Sequence, residues 1–154
     1  MGRKIYLAGP CDKENRPLME KVKNFIKDND FEVYAPFELK IEDAWSKTQE
    51  DWSIEVFKHD LAAIQSADAM ILISRGRISS AGTSFEQGFA YALHKKIYVI
   101  QITDEPTSLM TFSGCTYFLS SCEDNIENDI RWIADRIQNH DSYLYVKKCK
   151  TVLT

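Results

Sequence analysis

A carboxylate sits near the start of an apolar run in Ser79-Ser80-Ala81-Gly82-Thr83-Ser84-Phe85-Glu86-Gln87-Gly88-Phe89-Ala90-Tyr91-Ala92-Leu93. Small polar residues and a glycine, then apolar residues, read as a loop turning into a helix. Phe85, Phe89, Ala92 and Leu93 recur at helical spacing and are expected to face the core. Glu86 lies beside that stripe in the first turn, with Gly82 and Ala90 one turn to either side, so small neighbours leave open space over its carboxylate. Helix N-termini favour anions, which predicts an ionised Glu86 at neutral pH. An ionised carboxylate at the mouth of a small-residue pocket is what attack on a glycosyl carbon requires. The same residues fit a capping box, Thr83-x-x-Glu86, in which the glutamate reaches back to the N-cap amide and does no chemistry. A second carboxylate, Asp60, borders the apolar stripe of the preceding helix. It is either solvated surface or, at a pocket edge, a group that shares or delivers a proton.

The elements that must position these groups follow from hydrophobic pattern. Lys4 to Ala8 is a short apolar run closed by Gly9-Pro10, a buried strand whose exit is a ligand-binding edge in α/β folds. Residues 16–27 carry Leu18, Val22, Phe25 and Ile26 at helical intervals, with Pro17 suited to the first turn. Phe31 to Tyr34 alternates as a second strand, so strand, helix and strand point to a parallel sheet. Residues 37–51 form a long polar connection with Trp45 near its end and Trp52 just beyond it; these aromatics either stack on a planar ligand or pack in the core. A helix over 52–66 is expected to turn Ile54, Phe57, Leu61 and Ile64 inward. Ala69 to Ile73 is unbroken and apolar, as in a strand buried on both faces. Further strands are expected at 97–100 and 115–119, and a last helix at 123–138 with Ile126, Ile130, Ile133 and Ile137 inward. The tail from Ser142 carries Lys147, Lys148 and Lys150 without a clear pattern.

The 154 residues fit a single domain, residues 1–154, and 44% apolar content supports a core. A net charge of −4 argues against a binder of nucleic-acid polymers. Cys11, Cys115, Cys122 and Cys149 lack metal-ligand or disulfide spacing, and no signal peptide or membrane span is present, so a cytoplasmic protein with reduced thiols is expected. Glycine-rich dinucleotide and Walker loops are missing, and His59, His94 and His140 are scattered surface candidates.

In order and spacing, Ile5-Tyr6-Leu7-Ala8-Gly9-Pro10, Asp60-Leu61-x-x-Ile64, Ala67-Asp68-Ala69-Met70-Ile71 and Gly82-Thr83-Ser84-Phe85-Glu86-Gln87-Gly88-Phe89-Ala90 resemble the nucleoside 2-deoxyribosyltransferase family from about residue 4 to residue 110. The resemblance implies a flavodoxin-like (Rossmann-like) fold: a five-stranded parallel sheet with helices on both faces. It implies that Glu86 attacks the anomeric carbon of a nucleoside-type sugar, that Asp60 contacts the base and assists proton transfer, and that Tyr6 positions sugar and nucleophile. Gly9, Ser80, Gly82, Ser108 and Met110 fall at substrate-binding positions, with the segment Ser108-Leu109-Met110 supplied by a neighbouring subunit of a homodimer or higher homo-oligomer. No metal or organic cofactor is implied, because two carboxylates suffice for the chemistry.

Two positions depart from family members that act on free nucleosides. Ser80 stands six residues before Glu86 where those carry Asp, and Ser108 stands where they carry Asn. Both replacements resemble the branch of 2'-deoxynucleoside 5'-monophosphate N-glycosidases. The physics agrees: an Asp repels a phosphate, whereas a serine hydroxyl and a helix N-terminus attract one. Arg75 or Arg77 could add positive charge there. The expected substrate is a small nucleotide, with base exchange between nucleosides, or nucleotide binding without turnover, as alternatives.

Overall fold

The computed structural model describes residues 2–77 and 80–139, and residues 152–153 as backbone only. Ser79, His140, Cys149 and the tail lysines Lys147, Lys148 and Lys150 lie outside the described residues.

The chain begins with β1 (Lys4–Ala8). It is followed by α1 (Arg16–Lys27), which has proline in its first turn, and by β2 (Glu32–Tyr34). Two single 3-10 turns, at Pro36–Glu38 and Ala44–Ser46, break up the polar connection. Next comes α2 (Gln49–Ser66), which starts three residues before the apolar pattern does because the Thr48 hydroxyl caps it, accepting from the Asp51 amide at 3.1 Å. Then follow β3 (Ala69–Ser74), α3 (Ala81–Ala92) and β4 (Lys96–Gln101). The remainder comprises β5 (Thr107–Ser108), α4 (Leu109–Ser113), β6 (Tyr117–Ser120), α5 (Ile126–Gln138) and β7 (Val152–Leu153).

Five strands form one parallel sheet in the order β2-β1-β3-β4-β6, while β5 and β7 pair with each other in parallel. This is the flavodoxin-like arrangement, with the sheet covered on both faces. Side-chain alternation makes the two cores. Ile5 and Leu7 join Ile71 and Ile73 against α1 and α5, whereas Tyr6 and Ala8 join Met70, Leu72 and Ala90 under α2 and α3. All six residues of β3 are buried, which accounts for its unbroken apolar run.

The sheet order reverses between β1 and β3: the chain moves outward from β1 to β2, then returns to build β3, β4 and β6 on the other side. The loops leaving β1 and β3 therefore diverge over the carboxyl edge and leave a crevice, the usual ligand position in such sheets.

The expected inward faces of two helices are corrected. On α2, Ile64 is buried, but Ile54 and Phe57 are exposed. On α3, Thr83, Gln87 and Ala90 are buried, while Phe85 is 53% exposed and Leu93 is also at the surface. Of the expected apolar stripe only Phe89 packs against the core; Phe85, Ala92 and Leu93 face outward, and polar contacts hold the helix from beneath. Gln87 is buried and donates to the carbonyls of Thr111 and Gly114, both at 2.9 Å. Phe85 instead meets Phe57 across the two helices, with ring centroids 5.7 Å apart.

Candidate active site

Tyr6 is fully buried on β1, and parallel pairing sets it directly beside Tyr34 at the end of β2. Their rings stack with centroids 5.4 Å apart and planes within 21°. From that stack each phenol meets a carboxylate. The Tyr34 hydroxyl donates to Asp60 Oδ1 at 2.8 Å. The Tyr6 hydroxyl approaches Glu86 closely enough to lower that group's pKa, without meeting full hydrogen-bond geometry. Both carboxylates line one cavity of about 420 Å³, walled by Trp52, Ile54, Phe57, Gly82 and Phe85. Trp52 thus borders this cavity and Trp45 is 88% exposed, so neither tryptophan packs in the core.

The N-cap of α3 is Ser80, and its hydroxyl accepts from the Thr83 amide at 3.1 Å. The helix therefore starts earlier than the capping-box pattern implies, and Glu86 lies in its second turn. The expected ionisation of Glu86 at neutral pH is also corrected. Burial raises its pKa to about 7; the Tyr6 phenol opposes that rise and the Asp60 charge adds to it. One turn further from the helix end, the backbone amides no longer offset desolvation. Asp60 is raised by burial as well, against the lowering effects of the Tyr34 hydrogen bond and the His59 charge. Glu86, with a pKa near neutrality, thus shares one crevice with a second carboxyl whose pKa burial also raises, a pairing suited to dividing nucleophilic and proton-transfer roles.

A second cavity of about 540 Å³ lies at the loops leaving β1 and β3, lined by Cys11, Asp12, Asn15, Arg75, Ser80 and Thr83. The first turn of α3 borders both cavities, presenting Gly82 to one and Ser80 and Thr83 to the other. Gly9 opens the β1 loop with φ +155, and a Cβ there would come within 2.8 Å of the Met19 side chain and 3.2 Å of the Ile73 carbonyl. Arg75 donates from Nε to Asn15 at 2.8 Å and from Nη2 to Glu123 at 3.0 Å, so it reaches this cavity with its charge partly balanced. Arg77 is drawn instead to Glu105 at 3.7 Å. Asp12 is held by Asn15, chiefly by a side-chain hydrogen bond that lowers its pKa. The Cys11 thiol is raised by burial, then by the Glu86 and Asp60 charges, and stays neutral.

Ser108 and Met110 do not join Glu86 within the chain. They line a cavity of about 290 Å³ with Ser84, Gln87, Gly88 and Tyr91, beside α4. Ser108 caps α4, accepting from the amides of Met110 and Thr111. Tyr34 is the site residue that pattern reading missed. The sole local signal is its place at the end of β2, and its relation to Asp60 emerges only from strand register. Among the described residues, no cluster of three or more His, Cys, Asp or Glu could hold a metal ion, and no helix is long and apolar enough to cross a membrane.

The sequence profile of nucleoside 2-deoxyribosyltransferases matches residues 5–136. None of the curated proteins matches the sequence. Among solved structures, the 2-deoxyribosyltransferase of Bacillus psychrosaccharolyticus is similar at 29% identity and TM-score 0.68, over 81% of this chain and 90% of that one. The CMP N-glycosidase BcmB of Clostridium botulinum is similar in fold at 19% identity and TM-score 0.60, over 84% of this chain and 99% of that one. A conserved protein from Enterococcus faecalis shares the fold at 18% identity and TM-score 0.57, over 86% and 99% of the two chains. With 132 consecutive positions matched by the profile, the chain belongs to the nucleoside 2-deoxyribosyltransferase family, whose members are enzymes acting on N-glycosyl bonds of nucleosides and nucleotides.

Proposed function

We propose that the protein hydrolyses (2'-deoxy)nucleoside 5'-monophosphates to free base and (deoxy)ribose 5-phosphate. The observation that carries this reading is Ser80: an uncharged N-cap stands beside Arg75 at a cavity whose lining carboxylate, Asp12, is already engaged by Asn15, and a further carboxylate at position 80 would repel a phosphate. The sugar then bridges the two cavities across the first turn of α3, and the base lies on the apolar wall of Trp52, Phe57 and Phe85. Ionised Glu86 attacks the anomeric carbon as the N-glycosidic bond breaks. The bonding pair leaves with the base, which takes a proton from Asp60. Water then attacks the glycosyl ester, gives a proton back to Asp60, and releases the sugar phosphate with Glu86 free. Tyr6 holds the Glu86 carboxylate in line during both steps.

Ser108 and Met110 lie away from Glu86 within one chain, and Met110 is 77% exposed on α4, so a neighbouring subunit supplies them to the site. The working form is a cytoplasmic homodimer or higher homo-oligomer. A second reading keeps the nucleophile and replaces water with a base. It is supported by the open, largely apolar Glu86 cavity, which can admit an acceptor base, and by the similarity to a 2-deoxyribosyltransferase. Binding without turnover has less support, because Ser80 rather than Glu86 caps α3.

Chromatography of reactions with 5'-monophosphates and the matching nucleosides, each with and without a second base, tests this. Free base released from monophosphates, with no exchanged product, is the expected result. Exchange on unphosphorylated nucleosides would establish the transferase reading, and no conversion of either would leave binding alone.

A further inference from the structure

Two carboxylates that divide nucleophilic and proton-transfer work need a fixed separation, and neither is fixed by its own helix alone. Asp60 is half-buried on α2, whose outer apolar residues are exposed, and Glu86 is on α3. What ties them to the sheet is a pair of phenols. Tyr6 is immobilised by complete burial in the central strand β1. Tyr34 on the edge strand β2 is locked to it by strand register and by ring stacking at 5.4 Å, and its hydroxyl reaches Asp60 at 2.8 Å. The path from Glu86 past Tyr6 and Tyr34 to Asp60 is closed by a hydrogen bond at the Asp60 end and by proximity alone at the Glu86 end. Its weakest link is the contact of Tyr6 with Glu86, and its best-formed link is the hydrogen bond of Tyr34 to Asp60.

We propose that Tyr34 is a positioning residue for the reaction: its hydroxyl orients Asp60, and its ring, stacked on Tyr6, fixes Asp60 relative to Glu86. This rests on the N-glycosyl chemistry proposed above. The phenol also counters the rise that burial gives the Asp60 pKa, because a hydrogen bond donated to a carboxylate stabilises its charge, and this makes the Asp60 carboxyl a stronger acid toward the leaving base. The other charged or titratable groups around Asp60 are His59 on its own helix, Glu86 on α3, Tyr6 on β1 and Cys11 in the β1 loop; none of them donates a hydrogen bond to it among the described contacts.

The test is Tyr34→Phe, which keeps the ring and its stack and removes the donor. Carboxyl-labelled aspartate, with Asp60→Asn to assign its resonance, follows the Asp60 titration by carbon NMR in the intact protein. Expected in Tyr34→Phe are an Asp60 titration moved to higher pH, kcat for base release about tenfold lower, and KM within about twofold of wild type. Tyr34→Leu, which loses the stack as well, is expected to lower kcat further while thermal melting verifies that it folds. An unmoved Asp60 titration in Tyr34→Phe, or an unmoved kcat, overturns the proposal. Should the wild-type protein release no base from any nucleotide or nucleoside, the N-glycosidase reading falls, while the Asp60 titration still decides whether Tyr34 holds that carboxyl.

Discussion

Thr83 gives its single hydroxyl proton to the Gly9 carbonyl, 3.2 Å away, and so the 2.8 Å contact between Ser80 and Thr83 runs from the Ser80 hydroxyl to the Thr83 oxygen. This ordered chain ties the first turn of α3 to the loop leaving β1, the two walls of the crevice. It also commits the Ser80 proton in the resting state, so an arriving phosphate must redirect that proton away from Thr83.

Thr83→Val tests the tie. Valine fills nearly the same volume but removes a buried donor and acceptor, leaving the Gly9 carbonyl and the Ser80 hydroxyl short of a partner. The expected loss is about 1–3 kcal/mol of unfolding free energy. It should be read from denaturant midpoints at an unchanged m value, with Thr83→Ser recovering most of it.

Ser80→Asp separates capping from ligand charge. Aspartate caps helices as well as serine does, so the melting temperature should hold within a few degrees. The new carboxylate faces the cavity lined by Arg75, and its repulsion should raise KM for a 5'-monophosphate about 10- to 100-fold. Turnover of the corresponding nucleoside should not fall. An equal loss on both substrates would show that Ser80 acts through helix geometry and not through the phosphate.

The raised pKa of Glu86 has two consequences of opposite kind. As the proposed nucleophile it must be ionised, so kcat/KM should fall about tenfold per pH unit below a midpoint near 7. For stability the sign reverses. The folded chain holds the Glu86 proton between its ordinary 4.5 and about 7, so this group's contribution is most favourable below that window and is lost as pH rises through it. Glu86→Gln should therefore stabilise the fold by about 3 kcal/mol at pH 8 and by less than about 1 kcal/mol at pH 5, while abolishing base release. Calorimetric melts at the two pH values check it, and equal shifts at both would contradict a proton held by Glu86.

Much of this fold is legible because burial on two faces leaves an unmistakable mark: Ala69 to Ile73 has no polar interruption, and the observed strand extends it by a single residue, Ser74. Glu86 and Asp60 are legible as candidates because carboxylates beside apolar stripes are conspicuous, and they do meet at one cavity. What was hidden is whatever depends on neighbours. Phe57 and Phe85 sit at helical spacing, but periodicity reports a stripe and not what covers it; here they face each other and the cavity rather than the sheet. Thr83 resembles a cap because threonine usually caps, yet Ser80 takes that place and leaves Thr83 to bond Gly9. Tyr34 carries no local sign of its link to Asp60, since the two are 26 residues apart and join only after β2 pairs with β1.

The last prediction concerns which chain completes the site. Glu86 and Ser108 line different cavities, with α3 contributing to both. If Ser108 serves a neighbour, two defective chains can repair each other. Glu86→Gln removes the proposed nucleophile, and Ser108→Asp retains an N-cap on α4 while setting a negative charge against the proposed substrate's phosphate. In a mixed dimer, one site pairs the intact Glu86 of the second variant with the intact Ser108 of the first, and the other site carries both defects. Random reassociation makes half of the dimers mixed, so about a quarter of wild-type activity should return from two nearly inactive preparations. Assaying base release before and after joint unfolding and refolding measures this. Recovery requires a shared site, because sites built within single chains would stay defective in every combination.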